Sequence, residues 1–409
     1  MAIQPNHLFS FLFTISALSS SCYGGRNLQL LSNITHAESL SEVNTYSVND
    51  YGAKGDGKTD DTQAFVKAWD EACSSSNAIF LVPRGKTYLL KPITFKGPCK
   101  SSLTIKFVGN ILASNVRSDY KDNARQWLVI KYVDHLSVEG GGSIDGNGKI
   151  WWENSCKINK KNPCKHAPTA LVFKNCNNLV VSNLRIQNAQ QMHLSFSQCN
   201  HVSASGISIS SPEKSPNTDG IHITHSQNIK VTNANIGTGD DCISIEDGTQ
   251  IVRATDITCG PGHGISLGDN NSKVHVSDII VDGATLSGTT NGIRIKTWQG
   301  GSGSATNMKF LNIKLDDVDN PIIIDQNYCD QAKPCKKQKS AVQVKNVVYK
   351  NIKGTSSSKS AVVFDCNAKY PCKGIIMENI DIKKTNGKVA GATCDNVQLS
   401  KVVDVSPQC

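Results

Sequence analysis

The sequence predicts an all-β fold, a parallel β-helix (solenoid) of stacked short strands with a short capping helix at its N-terminal end. After residue 100, β-like runs such as SNLRI, SGISI, TDITC and KNIKG recur with a basic spacing near 23 residues. No helical pattern separates these runs, which favours a solenoid over a βαβ fold. A propeller is disfavoured because hairpin dipeptides are scarce.

The repeated runs place one apolar residue at an equivalent position of each coil. One repeat is too small to bury a core, so the stacked coils must build it together. We interpret the longer spacings near the C-terminus as loops inserted into coils. The first apolar positions of the runs are Leu184, Ile207, Ala234, Ile257, Ile279, Ile313, Ile352 and Ile380.

One helix is predicted before the repeats, over Thr59–Cys73. It begins with capping residues and continues with an amphipathic pattern. We expect it to cover the open end of the stack, where strand edges would otherwise be exposed. Its apolar stripe contains Ala64, Phe65, Ala68, Trp69 and Cys73.

The first 24 residues are predicted to be a secretory signal peptide. An apolar run followed by small residues covers His7–Ser21, although no Lys or Arg precedes it. A disordered or buried N-terminal segment is the alternative. Residues 25–46 are predicted as a linker or propeptide, and residues 47–409 as a single catalytic β-helix domain. No internal stretch is long and apolar enough to span a membrane.

Cysteine usage indicates an oxidising compartment. Fourteen of the fifteen cysteines remain if Cys22 leaves with the signal, and an even number suits disulfides. No CxxC pair occurs, which disfavours a zinc ribbon. Asn33 and Asn270 are candidate glycosylation acceptors, although so short a sequon also arises by chance. Close spacing suggests four pairs, with connectivity left open: Cys242–Cys259, Cys329–Cys335, Cys366–Cys372 and Cys394–Cys409.

The formal charge of +9 suits a polyanionic partner. A secreted protein is more suited to an acidic polysaccharide than to nucleic acid, although charge alone is also compatible with simple solubility. We interpret the basic run at Lys333–Lys339 as a solvated loop, with attraction of the substrate as the alternative.

Polar side chains recur at about one coil period, which would place them in one column of the stack. Three carboxylates can supply both the proton donor and the base of glycoside hydrolysis, because mutual repulsion raises one pKa. An arginine and a lysine two residues apart could bind the carboxylate of a uronic acid. The column contains Asp219, Asp240, Asp241, His263, Arg294, Lys296 and Tyr328.

Each of these residues also has a structural interpretation. Aspartates are common in turns, His263 lies between glycines, and Arg294 could be an exposed strand charge. We interpret His193 as structural, with a substrate subsite as the alternative. Three aspartates and a histidine could also hold a divalent cation for a lyase, although the neighbouring cations would disfavour the metal.

The segments SPNTDG, GDDCISI, CGPGHGIS and IRIKTW, in this order, resemble the signature segments of polygalacturonases, glycoside hydrolase family 28. The likeness covers Ser47–Cys409, and NDYGAKGDGKTDDTQAF and IIIDQNYC resemble plant members. It implies a right-handed parallel β-helix and the inverting hydrolysis of α-1,4-galacturonan without a cofactor or metal.

The resemblance also implies roles for the matching residues. Asp240 matches the general acid, and Asp219 and Asp241 match the pair that activates water. His263 matches the histidine that supports the acid and the substrate. The positions that match substrate-binding residues are Asn217, Arg294, Lys296 and Tyr328.

This chain departs from the common plant pattern after GDDC and after GHGIS. Glu246, Asp247 and Asp269 there add negative charge near a cleft meant for a polyanion. We predict a secreted, monomeric, endo-acting polygalacturonase of the cell wall that binds pectin and neither nucleic acid nor membrane. An exo-acting enzyme, a catalytically silent pectin-binding wall protein and a lyase are the alternatives.

The adjacent aspartates of TGDDCISI need a special backbone, because neighbouring strand residues point to opposite faces. We therefore predict a bulge or strand end at Asp240–Asp241, held by a disulfide from Cys242. We expect Asp240 to hold a proton while Asp219 and Asp241 stay charged.

Overall fold

The computed structural model describes residues 43–121, 125–268, 273–329, 335–336, 338 and 341–409. The signal peptide, Asn33 and most of the segment 25–46 lie outside these residues. So do Asp269, Asn270 and most of Lys333–Lys339. Among the described helices, none is long and apolar enough to cross a membrane.

Short strands dominate the described residues, with two α-helices, α1 (Thr62–Ser74) and α2 (Lys149–Glu153), and two 3₁₀ turns at Val48–Tyr51 and Arg117–Tyr120. The strands are β1 (Asn44–Ser47), β2 (Asp56–Asp60), β3 (Ala78–Val82), β4 (Thr87–Leu90), β5 (Ile93–Lys96), β6 (Leu103–Phe107), β7 (Asn110–Ala113), β8 (Gln126–Lys131), β9 (Leu136–Glu139), β10 (Ser143–Asp145), β11 (Thr169–Lys174), β12 (Asn177–Ser182), β13 (Arg185–Gln187), β14 (Leu194–Ser197), β15 (Asn200–Ser210), β16 (Ile221–Thr224), β17 (Gln227–Gly237), β18 (Ile243–Ile245), β19 (Gln250–Cys259), β20 (Ile265–Leu267), β21 (Lys273–Ser287), β22 (Asn291–Trp298), β23 (Ser302–Val318), β24 (Asn320–Tyr328), β25 (Gln343–Ser356), β26 (Ser360–Asp365), β27 (Cys372–Lys384), β28 (Gly391–Asp395) and β29 (Val397–Ser406).

The strands form two parallel sheets that run along the stack, which confirms the parallel β-helix. One sheet has 18 strands, and the other has 11, from β5 to β28. In the smaller sheet one apolar column passes through every coil, because each member pairs with the next. The column contains Ile93, Leu128, Leu171, Leu194, Ile221, Ile243, Ile265, Ile293, Ile322, Val362 and Ala392.

The predicted column of the larger sheet is confirmed except at Ile279. Ile207, Ala234 and Ile257 pair in succession, but the next partner of Ile257 is Ala284. Ile279 instead pairs with Val252. The prediction was wrong there because β21 is long enough to offer two apolar positions with similar sequence context.

α1 packs on the first coil, as the amphipathic pattern predicts. It begins three residues later than predicted, because residues up to Asp60 pair as strand β2 with β4. The Trp69 ring lies 5.0 Å from Phe95 and 5.9 Å from Phe80, and its Nε1 donates to Lys96 O at 3.2 Å. The helix therefore covers the N-terminal edge of the core.

All four suggested disulfides are present, including Cys242–Cys259. Two more join Cys73 to Cys99 and Cys156 to Cys164. The expectation that all fourteen cysteines suit disulfides does not hold for Cys176 and Cys199, which are buried thiols. Their sulfurs face backbone carbonyls inside the coils, so they act as small core residues.

We expect Trp69→Ala to lower the free energy of unfolding by about 3–5 kcal/mol, because it opens a cavity under the capping helix. Chemical denaturation monitored by circular dichroism measures the change. Lys67→Ala, on the exposed face of α1, is the matched control and should change stability by less than about 0.5 kcal/mol. Equal effects of the two substitutions would contradict the capping role.

Candidate active site

The adjacent aspartates lie between strands, as predicted. β17 ends at Gly237 and β18 begins at Ile243, so Thr238–Cys242 forms a turn. Gly239 is required there, because a Cβ atom would lie 2.0 Å from Ser215 O. The turn directs both aspartates into one cleft, and the Cys242–Cys259 disulfide ties its end to β19.

The cleft has a volume of about 420 Å³ and contains every predicted catalytic and substrate-binding residue. These residues do not share one column. Ile221, Ile243 and Ile265 are in register, which places Asp219, Asp241 and His263 at equivalent positions two residues before them. Arg294 instead pairs with Ser266, and Lys296 pairs with Asp325. The single-column prediction was therefore wrong for the cations, which reach the aspartates through their side-chain length.

Asp241 is a buried carboxylate with two cations on it. It is 1% exposed, Arg294 Nη2 donates to its Oδ1 at 2.8 Å, and Lys296 Nζ donates to its Oδ2 at 2.9 Å. Ser266 Oγ also donates to Oδ1 at 2.7 Å and accepts from Arg294 Nε at 2.9 Å. Burial lowers the pKa of Lys296, but Asp241, Asp219 and Tyr328 together outweigh burial and leave that pKa raised.

Asp240 forms a pair with His263. His263 Nδ1 lies 3.0 Å from Asp240 Oδ1, which also accepts from the Asp241 backbone N–H at 2.8 Å. Burial raises the pKa of Asp240, but the hydrogen bond and charge of His263 outweigh it, so the pKa of Asp240 is lowered. The same hydrogen bond raises the pKa of His263.

The pKa of Asp219 is shifted in the opposite direction from that of Asp240. Burial, followed by the negative charges of Asp240 and Asp241, raises the pKa of Asp219 well above its ordinary value. The pKa shifts of Asp219 and Asp240 therefore run opposite to the expectation that Asp240 holds the proton while Asp219 stays charged. The reason is that the cluster's positive partners lie on Asp240 and Asp241, which leaves Asp219 as the least favourable site for a charge.

The remaining predicted residues surround this cluster. The Tyr328 ring lies 5.6 Å from Lys296 Nζ and 5.9 Å from Arg294 Cζ, which places an aromatic face beside both cations. Asn217 lines the cleft with a φ of 56°. Glu246 also lines it, 3.7 Å from His222 Nε2. Asp247 does not line the cleft; it accepts from the His275 backbone N–H at 2.7 Å.

His193 has a structural position, as the sequence favoured. It is fully buried, Nδ1 lies 3.0 Å from Asp219 O, and Nε2 lies 2.8 Å from Ser211 Oγ. It therefore fixes the backbone of Asp219 from behind. Burial lowers the pKa of His193 to about 4, so the ring is neutral at higher pH.

Sequence reasoning missed the serines behind the site. Ser266 bridges Asp241 and Arg294, and Ser244 lies 2.9 Å from His222 Nδ1. The signal was available, because Ser244 and Ser266 are in register at the centres of the triplets ISI and ISL.

Asp240, Asp241 and His263 offer ligand atoms within 4.8 Å of one another, which is close enough for a metal ion. The donor set does not fit one. Both Asp241 oxygens already accept from cations, at 2.8 and 2.9 Å, and a divalent ion would have to displace or lie beside them. The cluster is better suited to proton transfer.

The comparisons with known proteins agree with this geometry. The family model described as glycosyl hydrolases family 28 matches residues 72–406. The chain is 54% identical to "Polygalacturonase-2" of Solanum lycopersicum, over 95% of this chain and 85% of that one. It is 57% identical to "Polygalacturonase" of Malus domestica, over 91% of this chain and 81% of that one. The solved endo-xylogalacturonan hydrolase of Aspergillus tubingensis superposes with a TM-score of 0.72 at 26% identity, over 88% of this chain and 99% of that one.

Replacing Asp219 should change how stability depends on pH. A carboxyl with a raised folded-state pKa binds more protons folded than unfolded, so its contribution to stability falls as pH rises above the ordinary value of 3.8. Asp219→Asn removes this loss, so its stability relative to wild type should increase with pH. Denaturation at a series of pH values measures the difference, and a difference that is constant or decreases would contradict the raised pKa.

Proposed function

Since the chain belongs to glycosyl hydrolase family 28, we propose that it is a polygalacturonase that hydrolyses the α-1,4-galacturonosyl linkages of pectin. The observation that carries this proposal is the cluster in the cleft, where the Asp240–His263 pair faces Asp219 and an Asp241 held by two cations. The relatives at 54% and 57% identity carry the same name of polygalacturonase.

In the proposed mechanism Asp240 is the general acid. The carboxylate of a bound uronic acid adds negative charge beside Asp240, which raises its pKa and draws the proton from His263 Nδ1, 3.0 Å away. Asp240 then donates this proton to the oxygen of the leaving sugar as the glycosidic bond breaks. Because the pKa of Asp240 is lowered in the free protein, His263 is the source of the proton that Asp240 donates.

Asp219 and Asp241 are proposed to activate the water that attacks the anomeric carbon. One of them accepts the proton of this water, so each turnover consumes one water and inverts the configuration. Arg294 and Lys296 hold Asp241 in place with hydrogen bonds, whereas Asp219, with its raised pKa, is a strong proton acceptor once it is ionised. In this mechanism Asp241 orients the water, and Asp219 accepts its proton.

The substrate carboxylate is proposed to bind Arg294 and Lys296 beside Asp241. A guanidinium has five N–H donors and an ammonium three, so contacts to Asp241 and Ser266 leave donors for a second carboxylate. Tyr328 supplies a ring against which the sugar can pack, and Asn217 supplies an amide at the side of the cleft toward α2.

We further propose that the protein is secreted to the cell wall, acts as a monomer and uses no cofactor. Disulfides in its described residues suit an oxidising compartment, and the formal charge of +9 suits polygalacturonate rather than a membrane or nucleic acid. Endo action is proposed because a second cleft continues from the catalytic one, which gives room for several sugars.

Asp240→Asn should lower kcat on polygalacturonate by about 10²–10⁴-fold, because the amide keeps the shape but cannot donate the proton. Release of reducing ends measures the rate, and circular dichroism checks that the fold is intact. Ser357→Ala serves as the control, because Ser357 is exposed and does not line the cleft. Retained activity in the Asp240 variant would refute the assignment of the acid.

Product sizes over time distinguish endo from exo action. We expect oligomers of mixed length early in the digestion of polygalacturonate, because a chain can bind across the cleft at internal positions. Chromatography of early time points measures this distribution. Monomer alone from the first time point would establish exo action instead.

A further inference from the structure

A chain of polar side chains leads from Asp219 to a further carboxyl group in the cleft and is not used by the mechanism above. The Ser244 hydroxyl is a hydrogen-bond partner of the Asp219 carboxyl, and Ser244 Oγ also lies 2.9 Å from His222 Nδ1. The other ring nitrogen, His222 Nε2, lies 3.7 Å from Glu246 Oε2. We name Ser244, His222 and Glu246 the serine–histidine link.

The register of the smaller sheet builds this link. Ser195, His222 and Ser244 pair in succession, so their side chains point to the same face of the sheet, about 4.8 Å apart from coil to coil. A histidine side chain is long enough to reach the serine of the next coil. Asp219 lies two residues before β16 and Glu246 directly follows β18, so the same two coils bring both carboxyl groups to this pair.

The centre of the link is buried, whereas its Glu246 end is not. His222 is 6% exposed and Ser244 is 2% exposed, so their polar atoms depend on each other for hydrogen bonds. The Glu246 side chain is 26% exposed and lines the cleft. Glu246 is also one of the residues by which this chain departs from the common plant pattern. The link therefore ends at a residue that can be replaced without opening the core.

His222 is a neutral side chain above about pH 4. Burial, followed by the positive charge of Lys296, lowers its pKa to about 4, although Asp241 acts in the opposite direction. On the other side of the ring, Arg125 and His166 line a cavity of about 300 Å³. A neutral imidazole has one N–H and one acceptor nitrogen, so the partners of the ring decide which nitrogen holds the hydrogen.

An ionised Glu246 determines the direction of each hydrogen bond in the link. Its carboxylate attracts the ring hydrogen of His222 to Nε2, which leaves Nδ1 as an acceptor. Nδ1 then accepts from the Ser244 hydroxyl, so that Ser244 Oγ presents a lone pair to Asp219. A lone pair favours the protonated form of a carboxyl group, which can donate to it, over the carboxylate, which cannot. The negative charge on Glu246 therefore favours a proton on Asp219.

Asp219 also has charged neighbours outside the link. Burial is the largest influence on its pKa; Asp240 and Asp241 raise it further, and Lys296 lowers it. These charges act directly through space, whereas the link acts through hydrogen bonds. The two kinds of influence can therefore be separated by removing the Ser244 hydroxyl.

We propose that Glu246 acts through His222 and Ser244 to strengthen the hold of Asp219 on a proton. This inference rests on the proposed function, in which Asp219 accepts the proton of the attacking water. A carboxylate with a higher proton affinity accepts that proton more readily. The three residues of the link are thus positioning residues, which act on the reaction through Asp219.

The first test follows the acid limb of the pH profile of kcat/KM on polygalacturonate, which reports the pKa of the base in the free enzyme. Glu246→Gln should move this limb to lower pH by about 0.5–1 unit, because Ser244 is then able to donate to the Asp219 carboxylate. In the Ser244→Ala background the same substitution should shift the limb by less than half as much. An equal shift in both backgrounds would show that the charge acts through space, and would overturn the proposal.

Two control variants separate the link from general effects of charge and packing. Glu213→Gln removes a negative charge from the lining of the same cleft but not from the link. Ser195→Ala removes a hydroxyl from the same column, on the other side of His222. Both should leave the acid limb at its wild-type position, and a shift in either as large as that of Glu246→Gln would contradict the proposal.

The second test measures the ring directly and needs no hydrolysis. ¹⁵N NMR at about pH 6, where His222 is neutral, should show the hydrogen on Nε2 in the wild-type protein, and Glu246→Gln should shift the population toward Nδ1. If the ring behaves in this way but the protein cleaves no polygalacturonate, the proposed function fails and the link stands. If the protein cleaves polygalacturonate but its ring holds the hydrogen on Nδ1, the link fails and the proposed function stands.

Discussion

The site depends on how a buried carboxylate, Asp241, is neutralised. Its partners come from neighbouring coils, Ser266 from β20 and Arg294 and Lys296 from β22, at 2.7 to 2.9 Å. A buried charge without such partners would be strongly destabilising, and a slip of one residue in the register would turn them to the other face of the sheet. The apolar column behind them therefore fixes the chemistry as well as the core.

This neutralisation decides how the other two aspartates differ. Cations lie on Asp241 and an imidazole lies on Asp240, so the pKa of Asp219 is raised while the pKa of Asp240 is lowered. Three chemically identical side chains acquire different properties because each faces a different coil and a different partner.

Much of the fold could be predicted, because the same sequence pattern recurs in successive coils of a solenoid. The period, the capping helix and the four local disulfides all follow from residues that are close in sequence or one coil apart. Ile279 could not be placed, since a long strand offers two apolar positions and only pairing selects between them.

The set of site residues followed from motifs, but the register of Arg294 did not, because a spacing does not reveal the length of an inserted loop. Nor did the motifs reveal the second cleft beside the catalytic one, where α2 and the 3₁₀ turn at Arg117 lie beside a coil that follows them by many residues.

The arrangement of charge along the stack is matched to a linear polyanion. Acidic side chains that line the catalytic cleft include Asp219, Asp240 and Asp241, which would repel such a polymer if they stood alone. Arg294 and Lys296 lie among them, and the adjoining cleft has three cations, Arg117, Lys157 and Lys165, and no acidic lining among its described residues. Cationic side chains can therefore lie some coils away from the carboxylates that are proposed to transfer protons. A β-helix permits this separation, because each coil adds a fixed rise and its side chains can be specialised independently.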